Sequence, residues 1–533
     1  MGLFCNQKSA WCVQMASQNK FKIIIASIIS LLVLGFFIAG KSTQRNTVLK
    51  TNFRVFKADH QLDPATLKFV QEYFYLDNMT VKLVDLTSTG QYINTLAEKI
   101  VFSGDQTVID IEIKQAFFSN GDPITIKDVE KSLKRATIFG APHSNIKNLW
   151  LDAEKLKSIN DDMRGIQVTG EKSLRLTMKQ PTKEILFFLS LTDLAILHPS
   201  QYNKDALLVS DWFKVTSGPY KLSVDKSGVF RLLANPKALT YSSDMPQEIT
   251  AEDFDGDKIL ARTESQDLGL VGVTLADYFH HFDSLSKMKG YEIYGNQTDG
   301  ITILILNLKS NQFKKESVRQ WVNKRIIDSY EMDKRYEKSL RKAYQFFLPN
   351  AKGYIAEDKV KNILSSVDTD SIPEELKNGL QITSIKGMKD YLPDQFTENL
   401  SKALGIPVTI DTSESSRNYV KLMQERKFDA FAISVSMSYK VIGETLNLQY
   451  LSNDASFIDP TGKIKNLLGV YQKTDNFENE HEVISQVIEQ MVKDSECVPL
   501  FYFASPYMIN TDKFDFSQAN LNETIQMWKV KVK

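Results

Sequence analysis

Apolar and polar positions alternate along the chain with two different periods, and the change of period predicts the secondary structure. Short runs rich in β-branched or alternating apolar residues are typical of strands; they occur at Met79 to Leu86, Val108 to Ile113, Ser173 to Met178 and Ile301 to Leu308. Apolar residues three and four positions apart are typical of helices; they occur at Ile126 to Ala136, Pro181 to Leu191, Ser317 to Tyr330, Lys389 to Leu404 and Glu482 to Lys493. Strands interleaved with helices indicate an α/β chain whose sheets are covered by helices.

One helix start is predicted in detail. The turn sequence Gly121-Asp122-Pro123 precedes Thr125, and the acid Asp128 stands three residues after that threonine. A threonine hydroxyl can accept a bond from the first turn of a helix while the acid bonds back to the threonine amide. The pattern therefore predicts a helix that begins directly after Thr125.

The uncharged run from Ile23 to Gly40 predicts a membrane anchor. At ~1.5 Å per residue it reaches roughly 27 Å, enough to cross a bilayer core. A cleaved signal peptide, the alternative, would have a shorter apolar core and small residues at the cleavage positions, where only Ala39 and Gly40 come close. No cysteine stands directly after the run, which argues against a lipoprotein anchor. We therefore expect an uncleaved transmembrane helix.

This anchor divides the chain into a cytoplasmic segment (residues 1–22), a transmembrane signal anchor (23–40), a linker (41–50) and a large domain. Lysine and arginine residues lie on both sides of the apolar run, so the positive-inside signal is blurred. The size of the following domain favours its export to the periplasm, with the anchor in the inner membrane. Of the cysteines, only Cys497 follows the anchor, so we expect no intrachain disulfide in the exported part.

Length and charge narrow the function classes. At about 150 residues per domain, a chain of 533 residues indicates roughly three folding units. Lysine plus arginine and aspartate plus glutamate both number 65. A nucleic-acid binder normally carries a basic excess, because releasing counterions from the phosphates supplies much of its affinity. We therefore expect no nucleic-acid partner.

A search for catalytic or metal-binding patterns finds none that is complete. No histidine stands in an HExxH motif, and the adjacent pair His280-His281 would point in different directions on a helix or strand. Ser284 and Lys287 fit SxxK, but the KTG that would complete a penicillin-binding site is missing. The sequence also lacks a GxSxG elbow and a Walker-type loop. We therefore expect neither an enzyme nor a metal or cofactor site.

The segment FFSNGDPITIKDVEKSLKRA, Phe117 to Ala136, closely resembles the signature of the family 5 extracellular solute-binding proteins, which bind oligopeptides, dipeptides and nickel. Further similar segments follow the family's order: Leu62-Asp63-Pro64, Thr216-Ser217-Gly218-Pro219-Tyr220, Asn235-Pro236, Leu306-Asn307, Val318-Arg319, Leu404-Gly405-Ile406-Pro407-Val408 and Phe428-Asp429-Ala430. We interpret Gly218-Pro219, Asn235-Pro236 and Val318-Arg319 as structural positions at turns and helix starts.

The resemblance implies a two-lobed periplasmic-binding-protein fold, of the type II class of large peptide binders, that closes on a ligand between its lobes. It implies a first lobe at residues 51–275 with a subdomain inserted near 65–170, a second lobe at 276–494, and a return to the first lobe at 495–533. The implied function is that of the substrate-binding component of an ABC-type importer, which hands a peptide or peptide-like solute to the permease subunits. The alternative is a non-transport descendant of this fold, acting as a membrane-anchored periplasmic sensor or assembly component.

The chain departs from the family at one expected ligand contact. In the peptide-binding members, an acid in the tract after the strand that contains Asp429 pairs with the peptide's amino terminus. An ungapped placement puts Ser438 at the acid and retains Tyr439; Glu444 could restore an acid if the loop shifts, and the placement itself could be offset by a few residues. An unpaired buried ammonium costs several kcal/mol. We therefore predict a site formed by Ser438, Tyr439 and first-lobe residues near Ser217, with Glu444 as a further candidate, that prefers ligands without a free amino terminus.

Overall fold

The computed structural model describes residues 47–533 with gaps at 54, 58–59, 67–71, 88–90, 141–145, 147–148, 180, 182–184, 253–260, 262, 264, 266, 274, 295–299, 338, 350, 352, 386–391, 394, 415–421, 423–424, 437–458, 460, 472–476, 505 and 520–525. Val48 to Lys533 form one unit of packed structure. The predicted anchor at Ile23 to Gly40 lies outside the described residues. Within the described residues, no helix has the length and apolar character needed to cross a membrane.

The described chain forms strands and α-helices in mixed order. The strands are β1 Val48–Thr51, β2 Val84–Leu86, β3 Tyr92–Asn94, β4 Ala97–Phe102, β5 Val108–Ile113, β6 Ile166–Val168, β7 Ser173–Thr177, β8 Tyr220–Val224, β9 Phe230–Ala234, β10 Glu248–Ala251, β11 Leu270–Gly272, β12 Tyr291–Tyr294, β13 Gly300–Leu306, β14 Leu340–Lys342, β15 Leu380–Ile385, β16 Val408–Glu414, β17 Ala430–Ser436, β18 Cys497–Phe503, β19 Tyr507–Asn510, β20 Phe514–Asp515 and β21 Lys531–Val532. The helices are α1 Glu72–Met79, α2 Ile126–Phe139, α3 Ile185–Ser190, α4 Leu275–Leu285, α5 Glu316–Ser329, α6 Glu357–Ile363, α7 Phe396–Leu404, α8 Lys463–Tyr471 and α9 Phe477–Asp494.

Three larger sheets organise these elements. A seven-stranded sheet has the order β12-β19-β11-β1-β10-β9-β8, a six-stranded sheet has the order β14-β18-β13-β17-β15-β16, and a four-stranded sheet has the order β4-β5-β7-β6. We call the part built on the seven- and four-stranded sheets the first lobe, and the part built on the six-stranded sheet the second lobe. The architecture is the mixed α/β type that the alternating periods predict.

The chain crosses between the seven- and six-stranded sheets at two neighbouring places. It leaves the first sheet after Tyr294 and enters the second at Gly300, then leaves the second after Phe503 and returns at Tyr507. Tyr294 pairs with Tyr507, and Gly300 pairs with Phe503, so the two crossings lie side by side. These changes of sheet fall later in the chain than the predicted lobe limits at 275/276 and 494/495, and the division into lobes by residue number stays a prediction.

Apolar clusters fill the spaces between sheets and helices. In the four-stranded sheet, Ile109 and Ile111 pack with Val129 and Leu133 of α2. One face of the seven-stranded sheet is covered by a cluster that includes Leu49 and, from α1, Phe74. The six-stranded sheet is covered on both faces. One of its two clusters also takes in Val271 and Met508 of the seven-stranded sheet and Tyr278 of α4, so an apolar core joins the two sheets beside the crossings.

Most predicted elements are present, with shifted ends. The strand Val108–Ile113 has its predicted bounds, whereas the predicted strand at Met79 to Leu86 is wrong over its first half. Helix α1 runs to Met79, and the amide and hydroxyl of Thr80 both donate to the Leu76 carbonyl at 3.0 and 2.6 Å, which prolongs the helical turn. The predicted linker also ends too late, because Val48 to Lys50 belong to β1, whose Leu49 is fully buried.

The predicted cap at Thr125 is confirmed. The Asp128 amide donates to the Thr125 hydroxyl oxygen at 3.3 Å, and the Thr125 amide donates to the Asp128 carboxylate at 2.8 Å. These reciprocal bonds satisfy amide groups that have no partner inside a helix. Helix α2 therefore begins at Ile126, where the sequence pattern places it.

Candidate functional site

Parallel strands of both sheets end at the crossings. Strand β1 pairs in parallel with β10 and β11, and β15 pairs in parallel with β16 and β17. The last residue of β11, Gly272, pairs with Tyr507 at the second crossing, and the last residue of β17, Ser436, pairs with Gly300 at the first. We call this border of the two sheets the hinge edge. Ligands of α/β proteins bind outside the carboxyl ends of parallel strands, so the hinge edge is the candidate site.

The first-lobe side of the hinge edge is held by Asn52. Its side-chain amide donates to the Gly272 carbonyl at 2.7 Å, and its side-chain oxygen accepts from the Gly272 amide at 2.7 Å. The two bonds reproduce the exchange of a strand pair, so they fix the end of β1 against the end of β11. A wall fixed in this way needs little rearrangement when a ligand arrives.

Aromatic rings lie on the same side. The Phe53 ring stacks on the Phe74 ring with centroids 4.5 Å apart, and its centroid is 6.4 Å from that of Tyr507. Tyr507 lies opposite Tyr294 across β19 and β12. Phe53, Tyr294 and Tyr507 are partly exposed. These residues are not predictable from the sequence, because no local pattern shows that strands so distant in sequence end side by side.

Ser217 of the predicted site is described, and its hydroxyl is engaged inside the first lobe. It donates to the Ile196 carbonyl at 2.6 Å and accepts from the Val81 amide at 3.0 Å. The residue is 3% exposed and precedes β8, the edge strand farthest from the crossings. These bonds account for its place in the fold, and contact of this region with a ligand stays a prediction.

The other predicted ligand-binding residues, Ser438, Tyr439 and Glu444, lie outside the described residues. The strand that precedes them, β17, ends at the hinge edge with Ser436. Just inside the edge, the hydroxyls of Thr302 and Ser434 lie 2.8 Å apart across β13 and β17. Because three of its four residues lie outside the described part of the chain, the predicted site stays a prediction.

The signature segment that carries the family resemblance forms a junction inside the first lobe. The Ser119 amide donates to the Thr216 carbonyl at 2.8 Å, and the Thr216 amide donates to the Ser119 hydroxyl at 3.0 Å. The Lys237 ammonium donates to the Asn120 carbonyl at 3.0 Å. Gly121 has φ +103°, a conformation that favours glycine. The segment therefore ties α2 to the β8–β9 region.

The positions interpreted as structural make backbone contacts that fit that role. A Cβ on Gly218 would lie 2.4 Å from the Thr80 nitrogen, closer than real contacts allow. The Asn235 side-chain amide donates to the Gly218 carbonyl at 3.0 Å. In the second lobe, the Arg319 guanidinium donates to the Asp494 and Phe313 carbonyls, each at 2.9 Å. These residues join chain segments.

A buried charge cluster lies close to this junction. The Lys82 ammonium is 3.2 Å from an Asp77 oxygen and 3.5 Å from an Asp85 oxygen, and all three side chains are nearly inaccessible. Burial alone would lower the pKa of Lys82, but the two carboxylates raise it, and the net shift is upward. The Gln526 side-chain amide donates to Asp85 at 2.8 Å, which fastens the C-terminal segment to the first lobe. In the part of the chain that the structure describes, no group of three or more histidine, cysteine, aspartate or glutamate side chains could hold a metal ion.

Comparisons with known proteins place this architecture. Among solved structures, the chain is similar to NikA from Brucella suis in complex with Fe(III)-EDTA, with a TM-score of 0.72, 16% identity, and coverage of 91% of this chain and 100% of that one. It is similar to OppA from Haemophilus influenzae in complex with the peptide RPPGFSPFR, with a TM-score of 0.64, 16% identity, and coverage of 92% and 99%. It is also similar to DppA from Helicobacter pylori in complex with the peptide STSA, with a TM-score of 0.63, 17% identity, and coverage of 92% and 99%.

At these identities the structural likeness shows the fold, which is that of periplasmic binding proteins. A comparison with curated protein sequences gave no match. The sequence profile of the bacterial extracellular solute-binding proteins, family 5 Middle, matches residues 91–457. That match covers more than half of the chain, and the chain belongs to the family 5 bacterial extracellular solute-binding proteins.

Proposed function

We propose that the chain captures a peptide or peptide-like solute at the hinge edge and delivers it to the permease of an ABC-type importer. The observation that carries this proposal is the meeting of parallel strand ends from both sheets beside two adjacent crossings. A ligand at that border would contact both lobes at once. Its binding energy could therefore favour a closed arrangement over an open one.

The crossings supply a physical basis for closure. Two short connections lie side by side, between Tyr294 and Gly300 and between Phe503 and Tyr507. A few residues in such connections can absorb the backbone rotations of a hinge while both sheets stay intact. The apolar core around Tyr278, which joins the sheets beside the crossings, limits the directions in which the lobes can turn.

The solute class is supported by the similar structures and by the sequence. OppA and DppA are in complex with peptides, and NikA with Fe(III)-EDTA. We assign the ligand contacts of the second lobe to Ser438 and Tyr439, with Glu444 as a further candidate, and those of the first lobe to the region near Ser217 and the hinge edge. We also propose that the run Ile23 to Gly40 holds the protein at the inner membrane with its large domain in the periplasm.

Calorimetry on the full-length chain in detergent tests the proposal, with one tetrapeptide offered with a free and with an N-acetylated amino terminus. A charge-assisted bond contributes about 1.5–3 kcal/mol, which corresponds to roughly one to two decades in affinity. With Ser438 in place of the acid, the acetylated form is expected to bind more tightly. A preference for the free amine that disappears in Glu444→Gln would show that the acid has moved to that residue.

Native mass spectrometry of the same preparation provides a second readout. A small molecule that co-purifies and is displaced by the acetylated peptide supports solute capture. If the protein retains no solute and binds none of the peptides, solute capture is contradicted. A sensor or assembly component is then favoured.

A further inference from the structure

The strand register places aromatic residues in one row along the hinge edge. On one face of the seven-stranded sheet, Thr51 pairs with Leu270, and Leu270 pairs with Ile509. Because side chains return to the same face every second residue, the next positions on this face are Gly272 on β11 and Tyr507 on β19. Phe53 follows β1 by two residues, and its ring centroid lies 6.4 Å from that of Tyr507. Tyr507 lies opposite Tyr294. The row is therefore Phe53, Gly272, Tyr507, Tyr294.

Gly272 lies in this row next to Tyr507, and the centroids of the Phe53 and Tyr507 rings are 6.4 Å apart. A Cβ at Gly272 would lie 3.7 Å from the nearest ring atom of Tyr507, which is ordinary contact, and its φ lies outside the left-handed region. Alanine would therefore fit without strain, whereas a longer side chain would cover the rings.

The Phe53 ring is held by packing against the core of the first lobe. Phe53 stacks on Phe74, which is only 1% exposed and belongs to the apolar core that contains Leu49. The bonds of Asn52 to Gly272 fix the backbone next to Phe53. Phe53, Tyr294 and Tyr507 are each partly exposed. We call these three rings the aromatic ledge.

Both faces of the sheet are apolar at this edge, but they belong to different cores. The face that carries the ledge continues from core residues such as Leu49, Leu270 and Ile509. On the opposite face, Val271 and Met508 lie in the apolar core that joins the two sheets. Side chains alternate between the faces, so a ligand on the ledge meets rings and aliphatic groups.

We propose that the aromatic ledge is a subsite that selects solutes carrying an aromatic or other large apolar side chain. This inference rests on the proposed function and adds the chemical class of the side chain that the hinge edge receives. The ledge lies at the strand ends where we place the solute, and its Phe53 ring is already packed on Phe74 before binding. An apolar side chain would bury ring surface that the chain itself leaves partly exposed.

Calorimetry with matched N-acetylated tetrapeptides tests this, using the full-length chain and peptides that differ only by phenylalanine, leucine, serine or glutamate at each position in turn. At one position, phenylalanine and leucine should bind at least about tenfold more tightly than serine or glutamate. Both Phe53→Ala and Gly272→Leu should reduce that preference to within about threefold. Phe213→Ala is the matched control, since it removes a partly exposed ring from the same core away from the crossings.

The outcomes separate this inference from the function on which it rests. If peptides bind with equal affinity whatever the side chain, or if Phe53→Ala and Gly272→Leu keep the preference as Phe213→Ala does, the ledge is not a subsite and solute capture stands. If the wild-type chain binds none of the peptides, solute capture fails first, and the ledge assignment fails with it. Gly272→Leu keeps the test decisive if Phe53→Ala does not fold.

Discussion

The signature junction and the hinge edge are two regions of the first lobe that differ in structure. The junction, around Ser119 and Thr216, is a set of short backbone bonds, a glycine turn and a capped helix. The hinge edge, around Asn52 and Phe53, presents partly exposed rings where parallel strands end. The segment that most resembles the family therefore builds the lobe, while the surface suited to a ligand comes from residues that belong to no recognisable motif.

This difference has a measurable form. Changes at the junction and in the buried clusters near it should lower stability and leave the affinity of the folded protein for a solute unchanged. Changes at the hinge edge should instead lower the affinity of the folded protein for a solute, as the proposed Phe53→Ala and Gly272→Leu variants are designed to show.

Lys82→Met should produce the largest loss of folding stability. Removing the ammonium leaves Asp77 and Asp85 buried without their shared cation, and breaking a buried ion pair from one side costs about 3–5 kcal/mol. Urea unfolding followed by circular dichroism measures the loss. The matched control is Lys179→Met, whose partner Glu154 is exposed and whose removal should change little. Equal effects of the two substitutions would contradict the role assigned to the buried cluster.

Gly218→Ala should produce the next largest loss of folding stability. The added Cβ would lie 2.4 Å from the Thr80 nitrogen and 2.5 Å from the Met79 carbonyl carbon, so the backbone between the end of α1 and β8 must move. Overpacking of this kind costs about 1–3 kcal/mol. Gly104→Ala is the control, because nothing lies within 4 Å of a Cβ there. A Gly218→Ala protein as stable as the Gly104→Ala protein would show that the junction is not tightly packed.

The sequence predicts the elements that local interactions decide, and it fails where contacts between distant segments decide the structure. The strand Val108–Ile113 and the cap at Thr125 are local, and period and capping chemistry predict both. The strand predicted from Met79 is wrong because tertiary bonds decide that segment, with Thr80 completing α1 and Lys82 buried between acids. Phe53 and Tyr507 could not be predicted as neighbours, since only the register of β1, β11 and β19 brings them together.

Protonation of Asp494 should make the second lobe more stable in mild acid than at neutral pH. Burial is the main cause that raises the pKa of this carboxyl from its usual value to about 6. The charges of Asp459 and Glu316 add to the rise, whereas the hydrogen bond from Gln490 and the charge of Arg319 oppose it. Asp494 is also the last residue of α9, where the helix dipole disfavours negative charge. The folded chain therefore holds this proton more tightly than the unfolded chain. The cost of ionisation is absent below about pH 4, appears as the pH rises through about 6, and is fully present at pH 7.

Asp494→Asn removes this titration and keeps an oxygen that can accept from Gln490. Relative to wild type, we expect the variant to gain about 1–2 kcal/mol at pH 7 and almost nothing at pH 4. Urea unfolding at both pH values measures the difference. A variant less stable than wild type at pH 7, or a gain that is the same at both pH values, would contradict the assignment.

Thr125→Ala should give the smallest loss and the sharpest test of the division, because Thr125 lies inside the signature segment itself. Its hydroxyl accepts from the Asp128 amide and also donates to the Asp128 carboxylate at 2.7 Å, so alanine removes the cap while leaving the return bond from the Thr125 amide. Loss of such a cap costs about 1 kcal/mol, whereas Thr125→Ser keeps the hydroxyl and should stay near wild type. Calorimetric affinity for an acetylated peptide, measured where both variants are folded, should be unchanged in both. A tenfold loss of affinity in Thr125→Ala with full stability would mean that the signature segment takes part in ligand binding, and the separation of junction from hinge edge would then be wrong.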